Sequence, residues 1–71
     1  MRVTHDPTVD AAYIYLEDSI APGAVMKTYC CDPAEVNGQI NLDFDSSGRM
    51  VGIEVLDASR LLPAGVLRRA R

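Results

Sequence analysis

Residues 39–59 decide the fold: Gln39-Ile40-Asn41-Leu42-Asp43-Phe44-Asp45-Ser46-Ser47-Gly48-Arg49-Met50-Val51-Gly52-Ile53-Glu54-Val55-Leu56-Asp57-Ala58-Ser59. Ile40, Leu42 and Phe44 alternate with Asn41, Asp43 and Asp45, the period of a strand that buries one face. Asp45-Ser46-Ser47-Gly48 breaks the alternation with turn-forming residues, and Gly48 can take positive φ because it has no Cβ. Alternation resumes at Val51, Ile53 and Val55, until Asp57-Ala58-Ser59 ends the strand with residues suited to starting a helix. The stretch predicts a β-hairpin. Placing both apolar sets on one face requires Phe44 opposite Val51, Leu42 opposite Ile53 and Ile40 opposite Val55, with Asp45 and Met50 closing a loop from Ser46 to Arg49. A type I turn on Asp45 followed by a Gly48 bulge is the competing geometry. It would slide Leu42 opposite Gly52 and Ile40 opposite Glu54, exposing half the apolar set, so the longer loop is expected.

Towards the N-terminus, Met1 to His5 reads as a first strand with Val3 inward. Asp6-Pro7-Thr8 is a turn, and Thr8 to Ala11 suits one helical turn. Ala12 to Leu16 is a strand with Ala12, Ile14 and Leu16 on one face and Tyr13 and Tyr15 on the other. After the turn signal Ala21-Pro22-Gly23, Ala24 to Cys31 reads as a third strand with mixed faces, and Asp32 to Gly38 as a loop. Beyond the hairpin, a short helix capped by Asp57 or Ser59 brings Leu61 and Leu62 back to the sheet. Pro63 interrupts it, and Ala64 to Arg71 suits a second helical piece weakened by Gly65. The expected fold class is α+β: a small antiparallel β-sheet of about five strands with a short C-terminal helix. One domain spans residues 1–71, with 63–71 as a frayed tail.

Composition bounds the rest. A chain of 71 residues buries only ~60% of its unfolded surface. With one Phe, three Tyr and no Trp, the core must be aliphatic, and a second copy is the common remedy for so small a core. The homo-oligomer expected on these grounds is a dimer. No apolar run approaches a membrane span and no signal-peptide pattern follows the N-terminus, which predicts a soluble cytoplasmic protein. Residues 1–59 hold all ten acidic residues against three basic ones, a net −7, while four arginines follow at 60, 68, 69 and 71. An acidic body argues against nucleic acid, and arginines near a helix end complement its dipole.

Four constellations could carry chemistry. Asp43, Asp45, Ser47, Gly48 and Glu54 match calcium-loop spacing, with oxygens at places one, three and five, Gly at six and Glu at twelve. Such a loop joins helices, whereas these flanks alternate as strands, so a turn explains the match and no metal or other cofactor is expected. His5 beside Asp6, with Asp10 nearby, is the one cluster suited to proton transfer. It lacks a nucleophile, a phosphate loop and a metal triad in the sequence, and a packing role is the plainer reading. Cys30 and Cys31 are adjacent and point to opposite faces of a strand, which suits one small core residue and one partly exposed thiol. Tyr13, Tyr15, Met50 and Leu56 share the face opposite the core and form a candidate interface.

Two blocks also resemble a known family. His5-Asp6-Pro7-Thr8-Val9-Asp10-Ala11-Ala12-Tyr13-Ile14-Tyr15-Leu16 resembles the opening pattern Tyr-Asp-Pro-x-x-Asp-x-x-Tyr-Ile-x-Leu of the bacterial domain of unknown function 2283, with His5 in place of its Tyr. Asn41 to Asp45 and Gly48 to Ser59 resemble its second block, in the right order. The resemblance implies a compact antiparallel sheet with a short C-terminal helix and implies no activity. Some relatives look like partners of small toxin-like proteins, so it also implies an antitoxin-like binder. The functional expectation is a non-enzymatic interaction module that self-associates and binds another protein. The alternatives are a small-ligand or metal-ion binder using the acidic hairpin, and an enzyme using His5 and Asp6.

Overall fold

The computed structural model describes residues 1–71. Five strands, β1 (Arg2–Asp6), β2 (Ala11–Tyr15), β3 (Lys27–Cys30), β4 (Ile40–Phe44) and β5 (Met50–Leu56), form one sheet in the order β1-β2-β5-β4-β3. Every neighbouring pair is antiparallel. β5, the longest strand, sits at the centre with both of its edges paired. Three short helices complete the fold: α1 (Pro33–Val36), α2 (Ala58–Leu61) and α3 (Ala64–Arg68).

Two expectations about the helices change. Residues 32–38 contain α1 and are not loop throughout. The Asp32 carboxylate accepts from the Ala34 N–H at 3.0 Å, Pro33 holds the first position, and Asn37 closes the turn in the left-handed region. Four residues are too few to display a helical period, so only the capping residues could have signalled it. The segment before β2 is a turn through Asp10, whose φ of +54° ends any helical course there.

The main hairpin combines both geometries weighed from the sequence. The Gly48 N–H donates to the Asp45 carbonyl at 3.0 Å, and the Asp45 N–H donates to the Arg49 carbonyl at 2.9 Å. Asp45 therefore closes on Arg49, not Met50, through a tight turn with Gly48 at φ +82°. Phe44 consequently faces Met50, not Val51. A bulge between Asp43 and Phe44 then absorbs one residue of β5 and restores Leu42 opposite Ile53 and Ile40 opposite Val55. Two one-residue irregularities cancel, so the apolar face survives the short loop. Gly48→Val is expected to lower stability by about 1–2 kcal/mol, since a β-branched residue resists positive φ. Equal thermal midpoints for variant and parent would contradict this turn.

The register fixes two faces. On one, Ala12, Val55 and Ile40 lie in a row across three strands, and Val3, Ile14, Ile53 and Leu42 lie in the next. Ala12, Val55 and Ala58 form the buried centre, with Leu61, Leu62 and Leu67 packed over it. The helices thus roof the row at Ala12 and Val55. At the row of Val3 and Ile14, α3 packs beside β1 without closing over it, and each of the four residues keeps part of its surface exposed. Although 48% of the residues are hydrophobic, only Ala12, Val51, Val55 and Ala58 among the hydrophobic residues are buried.

Candidate functional site

The turn between β1 and β2 builds the first cluster. Its left-handed backbone at Asp10 turns the carboxylate toward both β1 and α2. His5 Nε2 lies 2.8 Å from Asp10 Oδ1, and the Ser59 hydroxyl donates to Asp10 Oδ2 at 2.6 Å. The Ser59 N–H reaches both carboxylate oxygens at 3.2 Å, and the Ala58 N–H donates to the Asp10 carbonyl at 3.0 Å. Asp10 therefore caps α2 from 49 residues away. Asp57 occupies the N-cap position without a capping bond and turns its carboxylate to Arg60 Nε at 2.6 Å. The cap expected from Asp57 or Ser59 is supplied instead by a residue far off in sequence.

The three residues singled out for proton transfer separate into two roles. His5 and Asp10 meet; Asp6 accepts from the Thr8 N–H at 3.0 Å and belongs to the turn. His, Asp and Ser converge, but with the carboxylate in the middle. In a nucleophilic triad the imidazole stands between hydroxyl and carboxylate, and takes the hydroxyl proton. Here the hydroxyl donates to a carboxylate whose pKa is held low by that bond and by His5. The arrangement fits a clamp between the first hairpin and α2.

The acidic hairpin likewise disperses. Asp43 accepts from the Tyr13 hydroxyl and from the Thr28 hydroxyl, each at 2.6 Å. Asp45 accepts from the Ser47 and Arg49 N–H groups at 2.9 and 3.0 Å, while Glu54 accepts from Asn41 Nδ2 at 2.8 Å. No three His, Cys, Asp or Glu side chains are grouped to hold a metal ion. Asp45 serves the turn, and Asp43 and Glu54 serve separate bonds across the sheet.

Those bonds belong to the second face. Gly52 leaves room there for the Tyr13 ring, which crosses over it to reach Asp43. Burial, then the Asp43 carboxylate, pushes the Tyr13 hydroxyl well above the ordinary tyrosine range, so it remains a donor. Tyr15 meets Tyr13 edge to face at 4.7 Å, and the Arg2 guanidinium lies 3.7 Å from the Tyr15 ring centre. Leu56, opposite Ala11, shares this face and is half-buried, whereas the bulge at Val51 breaks the parity and sets the exposed Met50 opposite Phe44 instead of with the tyrosines. The candidate interface is thus part tyrosine network, part apolar surface.

A groove of about 820 Å³ opens on the other face. The sheet lines it with Val3, Ile14, Leu16 and Ile53, and α3 adds Val66. Met1, Arg2, Arg69 and Arg71 complete the lining. The Arg71 N–H donates to the Val3 carbonyl at 3.0 Å, which holds residues 69–71 along β1. A smaller hollow of about 230 Å³ lies at Tyr13, Tyr15 and Ile20; His5, Asp6 and Asp10 line neither.

Residues 2–59 match the family described as Protein of unknown function (DUF2283). The chain belongs to that family. No curated protein and no solved structure matches it. Both sequence blocks that resembled DUF2283 lie inside the matched span, and together they supply the end of β1, all of β2, most of β4, all of β5 and the Asp10–Ser59 clamp. No helix of this DUF2283 chain is long and apolar enough to cross a membrane. Its cysteines depart from expectation: Cys30 is exposed and Cys31 half-buried, so neither is a core residue, because β3 is an edge strand with all four residues exposed. Sequence reading also passed over Gly52 and Thr28, whose partners Tyr13 and Asp43 are distant in the chain.

Acid should loosen the Asp10 clamp. The Ser59 and His5 hydrogen bonds hold the Asp10 carboxyl below its ordinary value, and the Arg49 and Ser47 N–H groups do the same for Asp45. The folded state then binds fewer protons than the unfolded chain. The stabilisation is complete above the unfolded carboxyl value of about 4 and is lost as pH falls through the lower folded values. The thermal midpoint is expected to hold down to about pH 5 and then drop, with a shallower drop in Asp10→Asn. Equal midpoints at pH 6 and pH 3 would refute this.

Proposed function

We propose that the chain is a non-enzymatic interaction module that forms a homodimer and binds another protein. The observation that carries this reading is the open half of the apolar face, where Val3, Ile14, Leu16 and Ile53 line a groove that the helices leave uncovered. Apolar surface contributes about 25 cal/mol per Å² when it leaves water, and a second copy is the nearest source of cover. The tyrosine face, with Tyr13, Tyr15 and Leu56, remains free in such a dimer for a different protein. An antitoxin-like role is one form of that binding. The position of His5, Asp6 and Asp10 away from both hollows, and the structural bonds of Asp43, Asp45 and Glu54, favour this module over an enzyme or a metal binder.

Sedimentation equilibrium at micromolar concentration tests the reading. The expected mass is twice 7.7 kDa, falling toward the monomer on dilution together with thermal stability. A folded species of monomer mass, equally stable at every concentration, would overturn it.

A further inference from the structure

The groove is not purely apolar, and of its three guanidiniums Arg2 stacks on Tyr15 while Arg69 and Arg71 have no carboxylate partner within the chain. The ion pairs of the molecule are Arg49–Asp45 and Arg60–Asp57, and His5 is bonded to Asp10. Arg2, Arg69 and Arg71, which line the groove, make none. Leu16 also lines it, and the chain continues from Leu16 into Glu17 and Asp18, both exposed and both unpaired. The groove thus combines an apolar floor with the free guanidiniums of Arg69 and Arg71, and two free carboxylates follow directly on its Leu16. A two-fold interface sets a patch against itself, and such a patch is self-complementary only if it bears both signs of charge. This one does.

We infer that the groove is a self-recognition site in which Glu17 and Asp18 of one copy pair with Arg69 and Arg71 of the other, and reciprocally. The inference rests on the homodimer reading and adds its geometry and its selectivity. Apolar contact through Leu16, Ile14 and Val66 supplies area, while the crossed ion pairs fix the orientation of the two copies. Guanidinium suits that role because its planar fork meets a carboxylate with two hydrogen bonds. The Arg71–Val3 backbone bond ties the main chain at Arg71 to β1 before the second copy arrives, which lowers the ordering cost of association. The same pairing accounts for the division of charge along the chain, with all ten acids before residue 58 and arginines at 68, 69 and 71.

Charge exchange tests this in the full chain. Glu17→Arg with Asp18→Arg, and separately Arg69→Glu with Arg71→Glu, should each weaken the dimer by about tenfold or more, because like charges then face each other. Mixing the two variants in equal amounts should restore dimer of near-parental affinity as a heterodimer, read by sedimentation and native mass spectrometry. The parental dimer should also weaken as salt rises from about 0.05 to 0.5 M. If the parent dimerises but neither variant weakens it, or if mixing restores nothing, the crossed pairing is wrong and the dimer reading stands. If the parent is a stable monomer, the dimer reading itself falls. All four positions are exposed, so unchanged circular dichroism is expected; should a variant unfold, a salt-independent parental dimer would overturn the inference alone.

Discussion

Val55→Asp is expected to abolish the folded state. Val55 is 2% exposed and stands in register between Ala12 on β2 and Ile40 on β4, under Ala58. Removing the buried valine forfeits about 1.5–3 kcal/mol of transfer free energy. The greater loss comes from the carboxylate, which meets no cation there and must either stay unpaired or take up a proton at a cost of several kcal/mol. Against this, a domain of this length has only about 4–11 kcal/mol of stability in total. The expected result is a chain without a cooperative thermal transition and without the sheet signal in circular dichroism. Met50→Asp is the control, since Met50 is 39% exposed at the strand end and should shift stability by no more than about 0.5 kcal/mol. A cooperative melt for Val55→Asp close to that of the parent would show that the core lies elsewhere.

Gly52→Ala should cost about 2–4 kcal/mol, a large effect for one methyl group. The backbone there is ordinary strand, so conformational freedom is not the reason. The reason is occupancy: an added Cβ would collide with the Tyr13 hydroxyl and Cζ and sit 2.7 Å from Cε2. The ring must move, and moving it breaks the 2.6 Å bond to Asp43 and disturbs the edge contact with Tyr15. The Asp43 carboxylate then keeps only Thr28 as a side-chain donor. A double-mutant cycle decides between this and a general strand effect. In a Tyr13→Ala background the cost of Gly52→Ala should shrink to a few tenths of a kcal/mol. An equal cost in both backgrounds would mean that Tyr13 is not what fills the space over Gly52.

The hairpin at residues 39–59 was readable because period-two alternation is local and each residue reports its own face. Ile40 opposite Val55 and Leu42 opposite Ile53 follow from parity alone, and they hold. The loop is not legible in this way, because parity predicts an unbroken ladder from turn to strand end and the bulge interrupts it. A bulge costs little in a central strand already held by β2, and it lets the tighter Asp45–Gly48 turn form as well. Likewise α1 was hidden in Asp32-Pro33-Ala34-Glu35, where capping residues are present but too few turns follow to show a period.

The sites follow the same division. Turn acids such as Asp6 and Asp45 bond to N–H groups two to four residues away, and their roles are close to legible in sequence. Asp10 was noticed for its nearness to His5, but its attachment to Ser59, 49 residues on, depends on the fold.

By itself, then, the sequence determined the strands, the single apolar face, the break at Pro63 and membership of a family whose matched residues run from 2 to 59. These are properties of short-range periodicity, backbone preference and pattern. Only the tertiary structure decided the order β1-β2-β5-β4-β3, the clamp of Asp10 on α2, the seat of Tyr13 over Gly52 and the uncovered groove. Each of these arises where residues distant in the chain compete for the same space or the same hydrogen bond, and that competition is settled only when the sheet closes.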